Sequence, residues 1–64
     1  MTFYEINNTR TSKQLFYEMK KRLDMQRKDF DVIKKHDLNN NVYHKLFCTQ
    51  EYVILVFTSI YENK

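Results

Sequence analysis

The stretch VYHKLFCTQEYVILVFTSIY, Val42–Tyr61, decides how this chain is read. Two runs rich in β-branched and aromatic residues, Val42–Thr49 and Tyr52–Tyr61, flank Gln50-Glu51, a pattern that predicts a β-hairpin. With a two-residue turn, directly opposed side chains share a face of the sheet. Val42, His44, Leu46, Cys48, Val53, Leu55 and Phe57 then form one face and are assigned to the core. The other face carries Tyr43, Lys45, Phe47, Thr49, Tyr52, Ile54, Val56, Thr58 and Ile60, and is far more apolar than a solvated sheet face. A second copy of the chain is the expected cover, with Tyr43, Phe47, Tyr52, Ile54, Val56 and Ile60 as candidate dimer-interface residues.

Upstream, Thr11 and Gln14 have the spacing of a capping box and predict a helix start. Leu15, Phe16, Met19, Leu23, Phe30 and Ile33 recur at three-, four- and seven-residue spacings, so the helix is expected to run from Ser12 to about Asp37. Asn39-Asn40-Asn41 is its stop, since Asn tolerates a left-handed backbone. A helix of that length, about 39 Å, would outreach strands of about 27 Å. Thr2–Asn7 reads as a first short strand.

The expected fold is therefore a single small α+β domain over residues 1–64, in β-α-β-β order. One long amphipathic helix packs on a three-stranded antiparallel sheet. Tyr52–Tyr61, apolar on both faces, is placed as the middle strand.

A chain of 64 residues has room for one core and buries only about 60% of the surface its unfolded form exposes. Such domains need added support, and Cys48, the only cysteine, rules out an intrachain disulfide. Self-association is the leading candidate. Gly, Pro, Trp and Ala are absent while Asn, Lys, Tyr, Phe and Ile abound, which points to an AT-rich gene of the kind found in many phages, plasmids and some low-GC bacteria. Small accessory or inhibitor proteins are frequent products of such elements. The apolar run Tyr52–Phe57 is far shorter than the roughly 20 residues that cross a bilayer, and the N-terminal residues show no signal pattern. The expectation is a cytoplasmic protein with no membrane attachment.

The basic residues Lys13, Lys20, Arg27 and Lys34 recur every seven positions, with Lys21, Lys28 and Lys35 one step on. On one helix they would share a flank beside the apolar stripe. Lys20, Lys21, Arg27, Lys28, Lys34 and Lys35 are the candidate partner- or nucleic-acid-binding residues, since such a ladder could follow phosphates. The alternative is a solvated face laced by pairs such as Lys20 with Asp24 and Asp31 with Lys35, and the formal charge of +3 favours it. Tyr43, Lys45, Phe47 and Tyr52 mix rings with a cation, as base-stacking surfaces do, but lack the glycines of the RNA-recognition signature.

His44 and Cys48 would share a face yet stand about 13–14 Å apart, too far for one metal or a proton transfer. The carboxylates alternate with cations on an exposed helix, and phosphate-cradling loops need glycines that this chain lacks. The expectation is no catalytic site, no cofactor and no metal. The function expected from sequence is non-catalytic macromolecule binding by a homodimer, with an unidentified host protein as partner. Nucleic-acid regulation through the basic flank is the alternative.

Overall fold

A computed structural model describes residues 1–62, with side-chain surroundings through Ser59. Two β-hairpins alternate with two helices: β1 (Thr2–Ile6), β2 (Thr9–Thr11), α1 (Lys13–Met25), β3 (Asp31–His36), β4 (Val42–Phe47) and α2 (Gln50–Glu62). The class is α+β, as expected. The sheet, however, has four strands in the order β2-β1-β4-β3, with β1 parallel to β4 and both hairpins antiparallel. The expected three-stranded antiparallel sheet and β-α-β-β order are corrected accordingly.

Each difference has a local cause. Asn7 and Asn8 both take positive φ, 49° and 67°, the backbone of a two-residue hairpin turn. They return the chain into β2 rather than leading straight into the helix. Thr11 is consequently a strand residue opposite Tyr4. The N-cap falls one residue later, at Ser12, whose hydroxyl accepts from the Leu15 amide at 3.1 Å.

The helix stops at Met25, not near Asp37. Arg27 takes φ 55°, the Arg27 amide donates to the Asp24 carbonyl and the Lys28 amide donates to the Leu23 carbonyl. This is a Schellman closure with Arg where Gly is usual, at a cost of about 1 kcal/mol. Beyond it the β-branched pair Val32-Ile33 enters β3, which pairs from Asp31↔Phe47 to His36↔Val42. The Asn39-Asn40-Asn41 run is a hairpin loop rather than a helix stop, with Asn40 at φ 63°.

The largest correction concerns Tyr52–Tyr61, which is helix α2 and not a strand. A short apolar run does not distinguish the two by composition, and packing decides. Tyr52, Val53 and Val56 fall at helical spacing and are 6%, 5% and 3% exposed. Glu51 in the first turn suits the positive end of the helix dipole.

These three side chains complete a core with Phe16, Met19 and Leu23 of α1 and with Ile6 and Leu46, which face each other across the central parallel pair. Each such burial contributes about 1.5–3 kcal/mol. Ile6 and Leu46 point to the same side of the sheet, so α1 and α2 both join the core on that side.

Candidate functional site

Alternation along the strands puts Phe3, Glu5, Tyr43, Lys45 and Phe47 on the opposite face, together with Arg10 of β2 and Ile33 and Lys35 of β3. No helix among the described residues covers this face. Phe3 and Tyr43 lie side by side across the parallel pair with ring centroids 5.1 Å apart and planes at 24°. The Arg10 guanidinium sits 4.1 Å from the centre of the Phe3 ring, a cation–π contact. Lys35 stands opposite Tyr43 on the other side, and Lys45 lies between Glu5 and Ile33. The face is thus a stacked aromatic pair edged by cations, with Glu5 and Asp31 as counter-charges.

Asp37 holds one end of this face. Its carboxylate accepts from the Asn39 and Asn41 amides at 2.9 and 3.0 Å, from Asn41 Nδ2 at 3.0 Å and from the Tyr43 hydroxyl at 3.2 Å. The Asn41 side-chain bond, above all, keeps the Asp37 carboxyl below its usual pKa, because each donor favours the ionised form. Desolvation, reinforced by the neighbouring Asp37 charge, raises the Tyr43 phenol above its usual value, so the ring stays neutral. A depression of about 220 Å³ lies here, lined by Lys35, His36, Asp37, Tyr43 and Lys45.

The other end is held by Asn7. Its amide donates to the Cys48 carbonyl at 3.0 Å and to Gln50 Oε1 at 3.1 Å, and accepts from the Cys48 backbone N–H at 3.0 Å. The side chain extends the β1–β4 ladder past the end of β1 and joins it to the start of α2. Burial pushes the Cys48 thiol above its usual pKa, which disfavours the thiolate.

The expected interface residues disperse. Tyr43 and Phe47 do lie on the open face. Tyr52 and Val56 are core residues, because the run that carries them is helical. Ile54 is 58% exposed on α2, and the Ile60 side chain lies outside the described residues. The continuous aliphatic floor that favoured burial by a second copy is therefore absent from the open face.

The basic ladder disperses too. Lys20 and Lys21 are exposed on α1, Arg27 and Lys28 form the link after it, and Lys34 and Lys35 point to opposite faces of β3. Lys35 alone among them joins the aromatic pair. Sequence reasoning missed Phe3, Glu5 and Arg10, although the alternation of Phe3 and Glu5 with Tyr4 and Ile6 was there to be used.

The described residues contain no cluster of three or more His, Cys, Asp or Glu side chains placed to hold a metal ion. Among the same residues, no helix is long and apolar enough to cross a membrane. No protein-family model, no curated protein and no solved structure matches this chain.

Proposed function

We propose that the chain is a non-catalytic binding protein that works as a homodimer and meets another protein through the open face of its sheet. The observation that carries this reading is the one-sided packing. Both helices belong to the core on one side, while the other side holds Phe3, Tyr43 and Phe47 in a mixed-charge surround of Arg10, Lys45 and Glu5. Aromatic rings and Arg are the side chains that dominate binding energy at protein interfaces. The AT-rich coding signature supports an accessory protein of a mobile element.

The test is capture from the native host, comparing the parent chain with a Tyr43→Ala/Lys45→Ala variant, each with and without nuclease. The expected result is a protein retained by the parent after nuclease treatment and lost with the variant. Identical retention by both would remove the open face from the function.

One feature favours a second reading, single-stranded nucleic acid: the stacked Phe3–Tyr43 pair beside Arg10 and Lys35 is arranged as base-stacking platforms are. Glu5 and Asp31 on the same face weigh against it, because phosphate binding needs an excess of cations. Fluorescence anisotropy with a short labelled single strand checks this reading. Binding that falls steeply with salt and is lost in Tyr43→Ala would support it, and no association at low salt would end it.

A further inference from the structure

Strand β3 ends the sheet, and each of its six residues is exposed. It has no covering loop or helix among the described residues and contains no Pro or Gly to spoil pairing. The hairpin hydrogen bonds fix its backbone polarity. The Asp37 amide donates to the Asn41 carbonyl at 3.1 Å, which makes 37 and 41 a hydrogen-bonded pair of the hairpin. Antiparallel ladders alternate, so Lys35, Ile33 and Asp31 exchange bonds with β4. The N–H and C=O groups of Val32, Lys34 and His36 therefore point away from the sheet. The other side of β4 agrees: the Val42 amide and the Leu46 carbonyl bond toward the β1 side, to Met1 and Asn7.

We infer that β3 pairs antiparallel with β3 of a second copy about a two-fold axis at Ile33, joining two four-stranded sheets into one. This rests on the homodimer reading above and names its surface.

Hydrogen bonding and charge select the register. An outward-pointing residue must meet another outward-pointing one, so even-numbered residues pair with even-numbered ones and registers offset by one are excluded. Centring on Lys34 would set that cation directly opposite its own copy, a destabilising arrangement. Centring on Val32 shortens the overlap, because β3 begins at Asp31. Centring on Ile33 sets Val32 opposite Lys34 of the second copy, twice, as the hydrogen-bonded pairs. Between and beyond them fall the closer, non-bonded pairs: Ile33 against Ile33, and Asp31 against Lys35 at both ends. The strand sequence Asp-Val-Ile-Lys-Lys is thus complementary to itself in charge when reversed about its middle residue. The same register keeps both helix layers on one side and both open faces on the other.

Sedimentation equilibrium of the full chain tests this with a charge swap at exposed positions. The parent is expected to dimerise, and Asp31→Lys or Lys35→Asp each to weaken the dimer by about ten-fold, since either turns two attractive cross-strand pairs into repulsive ones. The double variant Asp31→Lys/Lys35→Asp should return to near the parent constant. Register is read separately in a Cys48→Ser background. Ile33→Cys should oxidise readily to a linked dimer, because non-bonded antiparallel pairs stand about 4.5 Å apart at Cα, within disulfide range. Lys34→Cys, facing Val32 of the second copy, should not. A parent that stays monomeric at high micromolar concentration, single swaps without effect, or a double variant that fails to recover would each overturn the proposal. A monomer that still captures a protein through Tyr43 and Lys45 would overturn this pairing while leaving the open-face reading in place.

Discussion

The two hairpins solve the same problem in different ways. The first turns in two residues, Asn7 and Asn8, both left-handed, and then uses the Asn7 side chain to reach across the sheet to Cys48 and Gln50. The second turns through the residues between His36 and Val42, which Asp37 organises with bonds that stay inside the loop or reach only Tyr43. One turn is therefore tied to the far end of the chain by its own anchor residue, whereas the anchor of the other bonds only locally and its loop meets the N-terminus through Asn41, whose Oδ1 accepts from the Met1 ammonium at 3.2 Å. A chain without glycine can make tight turns if Asn or a charged anchor takes over the task, and the choice of anchor sets how far a defect spreads.

Most stability is at stake where the hairpins meet. Leu46→Ala should destabilise the protein by about 3 kcal/mol, because it empties a fully buried position opposite Ile6. Chemical denaturation followed by both far-ultraviolet circular dichroism and tyrosine fluorescence should give one shared, lowered midpoint. Next comes Asn7. Asn7→Ala should cost about 2–3 kcal/mol, combining the lost bonds to Cys48 with a left-handed alanine. Asn7→Gly keeps the backbone free and should cost about 1 kcal/mol less, which separates the side-chain bridge from the turn.

Asp37 is expected to matter less and in a pH-dependent way. Its carboxyl titrates lower in the folded chain than in the unfolded one, so the stability it adds is complete above the ordinary value of 3.8 and disappears as pH falls below it. Thermal melts of Asp37→Asn should match the parent at the acid end of that window and fall below it at neutral pH. Equal differences at both ends would contradict the loop-anchor account.

Two smaller effects are expected outside the turns. Arg27→Gly, in the link between the hairpins, should stabilise by about 0.5–1 kcal/mol, since Gly removes the left-handed cost at the helix end. The Tyr52 hydroxyl is buried without a hydrogen-bond partner among the described residues, so Tyr52→Phe should leave the melting temperature unchanged or raise it slightly.

The parts of the fold that local pattern can encode were legible. β1 and β4 show period-two alternation, and the helix start was placed within one residue of Ser12. The faces of β4 were also correct: Leu46 joins the core, and Tyr43 and Phe47 look outward. Phe30 and Ile33 misled because they continue the helical spacing of Leu23 across a stop that contains no glycine. Tyr52–Tyr61 misled because its β-branched content outweighs any visible period, and only the burial of Tyr52, Val53 and Val56 in the core that also holds Phe16, Met19 and Leu46 selects the helix. The open face was half legible. Tyr43 and Phe47 are on it, but Phe3 and Arg10 arrive through pairings that depend on β1 meeting β4 in parallel.

That parallel meeting also shapes how the molecule must assemble. Each hairpin joins close neighbours in the chain, yet the Asn7–Cys48 bridge spans 41 residues, and the β1–β4 ladder it extends is of similar reach. Closing so long a loop costs entropy before any central contact repays it, and such pairings slow folding. The expected order is therefore local hairpin contacts first, with docking along β1 and β4 as the slow event that completes the protein.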